Sequence, residues 1–379
     1  MANALFSGKL ILGPMTKGSN TPFRRLCREL GAEVTFGEMA LAKKVVQRRK
    51  GELALLRTHP LDHPFGAQLA ARDPETLSAA AVRAEELGSD FIDLNCACPI
   101  DQFVRRGLGA QLLRQPAKFA RLVGALRRAV SIPISVKIRT GWSEEKQNFL
   151  EIGRIAQEEG ASAITLHGRT REQRYSRAAD WGLVAKLRQA LSIPVIGNGD
   201  LLTHWEIRER WEQSGCDSVM FARGALIKPW IFREAREQRS ILLTGEERLA
   251  LLRRYVELAL EHFGSDDFGR GKVRQFLLWH LDFFCRYRPL PAAEHRTSTD
   301  QHPLIQTRHG RQAPPDSLAG LLERSDPAAH EHLAGLAMGE IDPGAPFPPC
   351  PPSSEEPADP SAKQPPRVAV PFRTASTSS

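Results

Sequence analysis

Short apolar runs recur through about the first 230 positions of the chain, and longer amphipathic stretches separate them. Within the runs apolar and polar residues alternate, or β-branched residues dominate. Both patterns are typical of β-strands buried on one or both faces. The predicted strands are Leu10–Pro14, Glu33–Glu38, Phe65–Leu69, Phe91–Ala97, Ile134–Arg139, Ala163–His167, Val195–Asn198 and Ser218–Ala222.

The stretches between the runs carry the start and stop signals of α-helices. A proline follows a capping residue at Thr21–Pro22 and at Asp73–Pro74, and glycines stand where helices would end. Strand and helix therefore alternate eight times, which is the rhythm of an α/β fold of the (β/α)8 TIM barrel type. We assign the barrel to residues 1–240. A doubly wound open sheet is the alternative, but no G-x-G-x-x-G motif follows the first strand.

The pattern changes after Trp230. Glu246–Phe263, Lys272–Tyr287 and Asp316–Met338 have the apolar periodicity of helices, with no strand between them. We therefore predict a small helical domain over 241–342, in which the polar, proline-containing segment 289–315 is irregular. From 343 to 379 the chain is rich in proline and serine and poor in large apolar residues, which predicts a disordered C-terminal tail.

Composition narrows the classes of function. Charged residues make up 25% of the chain and no apolar run is long enough to cross a bilayer, so we expect a soluble protein with no membrane partner. The six cysteines are scattered, and the N-terminus lacks the features of a signal peptide. Both observations favour reduced thiols in the cytoplasm. A net charge of +8 is compatible with a polyanionic partner.

The strand Phe91–Ala97 leads into the first candidate for chemistry. Cys98 follows this strand at its carboxyl end, where parallel barrels hold their active sites. Asn95 should point inward below the thiol, whereas the alternation turns Cys96 towards the helices. A lone cysteine is more often a small buried apolar residue than a catalyst, so Cys98 needs support from other strands.

Other strands supply polar residues at the same end. Lys137 and Arg139 lie two apart on one strand and should both point into the barrel mouth, which is costly unless an anion or electron-rich ligand joins them. Three further strands end in Gln68, His167 and Asn198. The glycines of IGNGD (196–200) and ARGAL (222–226) follow the last two strands, where barrels bind phosphate through backbone N–H groups. This arrangement predicts a phosphorylated cofactor or substrate.

The chain also resembles a known family from about Leu10 to Tyr287. The motifs, in order, are GPMTKGSNTPFRRLC, FGEMA, FGAQL, DLNCACPIDQFVRRGLGAQLL, VKIRTGW, LHGRTREQRYSRAADW, IGNGD and ARGALIKPWIF. They are similar to those of the tRNA-dihydrouridine synthases, in particular the branch typified by the third eukaryotic enzyme. The resemblance implies an FMN-binding barrel and a helical domain that reduce the C5=C6 bond of uridines in tRNA, with NADPH as reductant. We expect a monomer.

The resemblance also implies roles for single residues. Cys98 matches the catalytic thiol, which protonates uracil C5 while a hydride from flavin N5 goes to C6. A proton donor must be a neutral thiol, so we expect an ordinary pKa for Cys98. Asn95, Arg139 and Tyr175 match residues that hold the uracil. The flavin contacts are matched by Pro14, Met15, Gln68, Lys137, His167, Asn198, Gly199, Asp200, Ala222, Arg223 and Gly224.

Other functions stay open at this point. The dihydroorotate dehydrogenases are also FMN barrels with an Asn-x-x-Cys-Pro loop, although HGRTREQRY and the helical region have no counterpart there. A tRNA-binding module with lost catalysis would need only basic surfaces. We expect no metal site, because His330 and His332 have no further ligand nearby in sequence.

Basic residues of the helical region are candidates for holding tRNA. Arg270, Lys272 and Arg274 lie near the predicted start of the helix that begins at Lys272. Cations at that end of a helix oppose its dipole, which indicates that they serve a partner instead. We therefore expect them to grip the tRNA backbone while Arg105 and Arg106 line the rim of the pocket.

Overall fold

The computed structural model describes residues 2–290, 304–307 and 309–350, with side chains from residue 4 onwards. Its strands are all parallel: β1 Leu10–Leu12, β2 Val34–Phe36, β3 Ala40–Leu41, β4 Phe65–Ala70, β5 Phe91–Cys96, β6 Ile134–Arg139, β7 Ala163–His167, β8 Val195–Asn198 and β9 Ser218–Phe221. Eight of them close into a barrel, because β1 pairs with both β9 and β2 while β2 also pairs with β4. The two-residue strand β3 only extends the edge of β4. The predicted TIM barrel is confirmed.

The helices follow the strands. They are α1 Ala2–Phe6, α2 Thr21–Glu29, α3 Ala42–Val46, α4 Lys50–Leu55, α5 Pro74–Glu86, α6 Asp101–Val104, α7 Pro116–Ala129, α8 Phe149–Glu158, α9 Trp181–Ala190, α10 His204–Ser214, α11 Arg223–Ile227, α12 Ile231–Glu237, α13 Gly245–Phe263, α14 Asp267–Phe284, α15 Leu318–Leu322 and α16 Pro327–Ala337. Short 3₁₀ turns span Pro60–Asp62 and Gly109–Arg114. Asn20, one residue before the expected Thr21, caps α2 by accepting the N–H of Phe23 at 3.0 Å.

The alternation along the strands divides the barrel interior into an apolar end and a polar end. Outward residues such as Leu94 and Val136 are buried between strands and helices. Inward apolar side chains, including Phe36 and Phe91, cluster at the amino end of the strands together with Phe6 of α1. The rings of Phe6 and Phe91 meet edge to face with their centroids 5.0 Å apart. Helix α1 thus plugs one end of the barrel, and the polar inward residues lie towards the other.

The helical region packs on the barrel through α2. Helices α13 and α14 contact each other, and the ring of His280 in α14 stacks on Phe23 of α2 with centroids 4.6 Å apart. Helix α14 begins at Asp267, five residues before the predicted start, because Asp266 caps it. The periodicity did not predict this start, because the glycines at 269 and 271 have no side chains and disfavour helix.

Two C-terminal segments are packed more closely than their composition indicates. Leu304 and Ile305 are buried, although they lie in the polar segment 289–315. Phe347, within the predicted tail, packs edge-on against His332 of α16. Residues 348–350 belong to a separate unit, and 291–303, 308 and 351–379, which include most of the predicted tail, lie outside the described residues. The domain boundary at 240 stays a prediction.

The plug predicts a stability change. Phe6→Ala should lower the free energy of unfolding by about 3–5 kcal/mol, because the side chain is fully buried and its loss leaves a cavity beneath the barrel. Urea unfolding followed by circular dichroism measures the change. Phe268→Ala is the matched control, since Phe268 is 70% exposed, and its effect should stay within about 0.5 kcal/mol. Equal stability of the two variants would contradict the conclusion that Phe6 of α1 fills the amino end of the barrel.

Candidate active site

Cys98 lies on the loop after β5, at the carboxyl end of the barrel strands, and is partly exposed. Its N–H donates to Oδ1 of Asn95 at 3.0 Å, and its carbonyl accepts the N–H of Ala110 at 3.1 Å. Gly109 has a φ of +61°, and a Cβ at that position would lie 2.7 Å from the Cys98 carbonyl oxygen. Only glycine allows this approach, so the backbone of the thiol is fixed by its neighbours.

The surroundings of Cys98 keep its sulfur protonated. Burial raises the pKa of the thiol, and the opposing effects of the Ile100 backbone and of Arg139 are smaller. The ordinary pKa expected from the sequence is therefore too low, whereas the neutral thiol is what a proton donor needs. Cys96 is fully buried in the apolar layer between strands and helices, so it faces away from the mouth.

A first row of hydrogen bonds crosses the inner faces of β4, β5 and β6. Asn95 donates through Nδ2 to Oε1 of Gln68 at 2.7 Å, and Gln68 donates through Nε2 to Asp93 at 2.7 Å. Ser135 donates to the other carboxylate oxygen of Asp93 at 2.6 Å. Burial raises the pKa of Asp93 to about 6, against the lowering effects of these bonds and of Lys137. Because a carboxylate only accepts, Asp93 determines which way both amides point.

A second row joins β6, β7 and β8. Lys137 donates through Nζ to Oδ1 of Asn198 at 2.9 Å, and Nδ1 of His167 lies 3.0 Å from the same oxygen. Asn198 is oriented by its own donation to the carbonyl of Met220 at 2.9 Å. An amide oxygen only accepts, so we assign the His167 proton to Nδ1. Burial, followed by Arg139 and Lys137, lowers the pKa of His167 well below its usual value and keeps the ring neutral.

Lys137 is a buried cation with weak compensation. Burial, followed by Arg139, lowers the pKa of Lys137 to about 7 against the raising effect of Asp93. Within the described residues its hydrogen-bond partner is a neutral amide, and no carboxylate pairs with it. A cation in this state is typical of a site that receives an electron-rich or anionic group.

Arg139 ties two loops of the mouth together. Its Nε donates to the carbonyl of Ala97 at 2.8 Å, and its Nη1 donates to that of Thr170 at 2.9 Å. The second loop also carries Tyr175, which is 37% exposed and lies with its ring centroid 4.1 Å from the guanidinium of Arg223. The predicted uracil contacts therefore surround the entrance next to Cys98.

The predicted phosphate segments lie at the same end of the barrel, but close packing already accounts for their three glycines. A Cβ at Gly197 would lie 2.3 Å from Trp181, and one at Gly199 would lie 2.5 Å from Ala179. Gly199 has a φ of +138°, which favours glycine. At Gly224 a Cβ would lie 2.1 Å from the carbonyl of Leu201, so this glycine lets two loops touch. Pro14, Met15 and Ala222 follow the carboxyl ends of β1 and β9.

Asp200 is engaged by the protein itself. Its Oδ2 accepts from Nη2 of Arg169 at 2.5 Å and from the N–H of Ala179 at 2.7 Å, and Arg223 lies 3.5 Å from Oδ1. Asp200 therefore holds arginines in place. Sequence reasoning missed the fully buried Arg169, whose only sequence signal was its place one residue after the strand-end HG pair.

The two histidines considered for metal binding differ in their surroundings. Nε2 of His330 lies 3.0 Å from the carbonyl of Arg324, whereas Nε2 of His332 is buried with no hydrogen-bond partner among the described residues. The described part of the chain contains no cluster of three or more His, Cys, Asp or Glu side chains that could hold a metal ion. Among its helices, none is both long and apolar enough to cross a membrane.

Comparison with known proteins gives the family. Residues 11–309 match the family model described as dihydrouridine synthase. The chain belongs to the dihydrouridine synthase family. It is 43% identical to the tRNA-dihydrouridine(47) synthase of Coprinopsis cinerea over 304 residues, which cover 76% of this chain and 45% of the relative. A human tRNA-dihydrouridine(47) synthase-like protein is 42% identical over 289 residues, which cover 76% of this chain and 44% of that protein. The chain spans about half the length of the relatives it matches.

The buried Lys137 predicts a dependence of stability on pH. Its folded pKa of about 7 lies below the value of about 10.4 in an unfolded chain, so unfolding takes up a proton between these pH values. Stability therefore rises with pH across that window, and the full cost of the buried charge is present below it. Lys137→Met should raise the free energy of unfolding of the ligand-free protein at pH 6.5 by on the order of 1–4 kcal/mol. The gain should shrink by pH 9.5.

Urea unfolding at the two pH values measures this effect. Lys43→Met is the control, because Lys43 is exposed on α3 and its removal should change stability little at either pH. A Lys137→Met protein that is less stable than the wild type at both pH values would contradict the assignment of a poorly compensated charge.

Proposed function

We propose that the chain is a tRNA-dihydrouridine synthase that reduces the C5=C6 bond of a uridine in tRNA, with FMN and a nicotinamide nucleotide as cofactors. The observation that carries this proposal is a protonated thiol at the mouth of a barrel whose inner wall presents a buried, poorly compensated cation. Membership of the family supports the same reading. Because the similar relatives are named for position 47 of tRNA, we propose the uridine at that position as the target.

The chemistry of the inner wall fits an isoalloxazine ring. Lys137 and His167 meet on one amide oxygen, so one cationic and one neutral donor face the same space. When bound there, FMN supplies hydride chemistry, with NADPH as the source of electrons. The residues that would hold it are Pro14, Met15, Gln68, Lys137, His167, Asn198, Gly199, Ala222, Arg223 and Gly224, with Asp200 fixing the arginines near the phosphate.

Cys98 is the proton donor of the proposed reaction. Its Sγ holds a proton at neutral pH because burial raises the pKa of the thiol. The proton leaves sulfur for C5 of the uracil as the carbon gains electron density, and the resulting thiolate is reprotonated from solvent because Cys98 is partly exposed. A thiolate at the start would leave the reaction without its acid, so the elevated pKa serves the chemistry.

The uracil is held by Asn95, Arg139 and Tyr175 in this proposal. The hydrogen bonds of Arg139 use Nε and Nη1, which leaves Nη2 for a carbonyl of the base. The Tyr175 ring lies at the entrance with one side against a guanidinium, where a flat base can stack. A uridine inside folded tRNA cannot reach this depth, so the nucleotide must be extruded first.

Docking of the tRNA is best assigned to the barrel rim. Arg270 pairs with Glu340 at 2.6 Å, and Arg274 pairs with Glu331 at 2.5 Å, so these two arginines fasten α14 to the α16 segment. These pairs account for Arg270 and Arg274 without tRNA, whereas the expectation that Lys272 contacts tRNA stays a prediction. Exposed cations near the mouth are better placed, because they follow the carboxyl ends of β2 and β5; they are Lys43, Arg48, Arg49, Lys50, Arg105 and Arg106.

A matched pair of cysteine variants tests the proposed function. Cys98→Ala should lower the rate of uridine reduction in tRNA by about 10²–10⁴, the usual contribution of a general acid. Flavin binding and NADPH oxidation by oxygen should persist, because neither uses the thiol. Cys96→Ala should retain most activity, since its side chain is buried on the helix side of the strand. Dihydrouridine formed in tRNA at position 47 is the measurement.

Each rival function has its own outcome in this assay. Equal losses in the two variants would show that the thiol is not the donor. Turnover of orotate without reduction of tRNA would favour a dihydroorotate dehydrogenase. Tight tRNA binding by a wild-type protein that takes up no flavin would favour a binding module without catalysis.

The rim assignment predicts a change in salt dependence. Replacing Arg105 and Arg106 by glutamine should weaken tRNA binding and reduce the slope of log K against log salt by roughly one unit per lost phosphate contact. The matched control replaces Arg270 and Arg274 by glutamine, which should leave that slope unchanged because both already pair with carboxylates. Binding titrations between 50 and 300 mM KCl measure both. If only the control variant showed a smaller slope of log K against log salt, the tRNA-docking surface would lie on α14 instead of the rim.

A further inference from the structure

A surface ion-pair cluster links the two loops that border the candidate site. Asp101 lies three residues after Cys98, and its carboxylate receives Arg171 on one oxygen and Arg174 on the other, the latter at 2.8 Å. Both arginines belong to the loop after β7, which also carries Tyr175. One carboxylate therefore spans the entrance between the thiol loop and the tyrosine loop.

One partner of Asp101 is held firmly from behind. The guanidinium of Arg171 lies 4.8 Å from the ring centroid of Trp142, and its backbone N–H donates to the carbonyl of Gly141 at 2.9 Å. The Arg171 side chain is only 15% exposed, whereas those of Arg174 and Asp101 are about half exposed. The cluster thus has an inner, fixed arginine and an outer one that water and salt can reach.

The outer end of the tyrosine loop has two contacts besides Asp101. The buried Arg169 donates through Nε to the carbonyl of Arg177, and the Tyr175 ring lies against Arg223. The thiol loop is held independently, since the Cys98 backbone bonds to Asn95 and Ala110. Arg139 reaches the tyrosine loop mainly at Thr170, and reaches Arg174 through a longer bond of 3.2 Å. Residues 174–177 are exposed, so their position over the mouth depends on these polar contacts, among which the Asp101 pairs join the loop directly to the thiol loop.

We propose that Asp101 is a positioning residue that latches the Tyr175 loop across the entrance beside Cys98. The latch sets how far the thiol is covered, and it loosens when the charges of the cluster are screened or removed. Its use in the reaction, which is to hold Tyr175 against an entering base, rests on the proposed function. The covering of the thiol by the loop is independent of the proposed function, so it can be measured without any tRNA.

Alkylation of Cys98 by iodoacetamide tests the latch in the purified full-length chain. A Cys350→Ser background is used, because the other described cysteines are buried and Cys350 is exposed. Rates measured against pH give the pKa of the thiol and, above it, a plateau rate that reports access. Asp101→Asn should raise the plateau about two- to fivefold, the factor that a small exposed ion-pair cluster is worth. Asp101→Glu, which keeps the charge, should restore most of the protection.

Ionic strength provides a second readout that a general loss of stability would not mimic. The wild-type plateau should rise as KCl increases from 0.05 to 1 M, because the Debye length falls to about 3 Å. The Asp101→Asn plateau should be high throughout and insensitive to salt. Glu86→Gln is the control, since Glu86 forms a similarly exposed pair with Arg83 on α5, and it should leave both the plateau and its salt dependence unchanged.

The outcomes separate the latch from its alternatives. An unchanged plateau in Asp101→Asn, or a shift of the thiol pKa with no change in plateau, would overturn the proposal. If the wild type reduces tRNA, Asp101→Asn should raise KM for tRNA more than it lowers kcat. Absence of any tRNA reduction by the wild type would count against the proposed function alone, because the alkylation result stands without it.

Discussion

The buried ammonium of Lys137 is the constraint around which the barrel mouth is arranged. A lysine in the wall of a barrel must find acceptors, yet a carboxylate in direct contact would neutralise it. Here the acceptor is the amide oxygen of Asn198, and Asp93, the carboxylate whose charge raises the Lys137 pKa, is occupied by Gln68 and Ser135. The charge is therefore kept available, at a cost that the rest of the barrel must offset.

The barrel offsets that cost by separating its apolar and polar layers. Phe6, Phe36 and Phe91 fill the amino end of the interior and give the sheet a dry core. Above them, almost every inward polar atom of the two rows is satisfied by another strand, which avoids the penalty of unpaired buried groups. Thr165 is an exception, since its hydroxyl lies buried between the rows with no partner among the described residues. The rigidity of the mouth follows from this continuous bonding.

Much of the fold was readable from the sequence because it depends on local periodicity. The alternation in Phe91–Ala97 correctly predicted that Asn95 faces inward and Cys96 outward. The spacing of Lys137 and Arg139 alone predicted that both side chains point to the same face. Asp93 and Ser135 lie on the same inward faces but were passed over, since their importance comes from partners on neighbouring strands. Residue types on one strand do not reveal which side chain faces them across the sheet.

Long-range pairs were the main source of error for the same reason. Arg270 and Arg274 were interpreted as a surface for a partner, and their carboxylate partners lie more than fifty positions away in the chain. The start of α14 was placed too late because its glycines hid the first turn, although Asp266 was a suitable cap. Exposed charges and helix ends are decided by tertiary neighbours, which composition does not record.

The protonated state of Cys98 has a consequence for chemical durability. Peroxides and other oxidants attack thiolates much faster than thiols, so a sulfur that keeps its proton at neutral pH is a poor target for sulfenic acid formation. In the proposed reaction, a thiolate at this position would risk losing the acid by oxidation. The burial that raises the thiol pKa thus also lengthens the working life of the site.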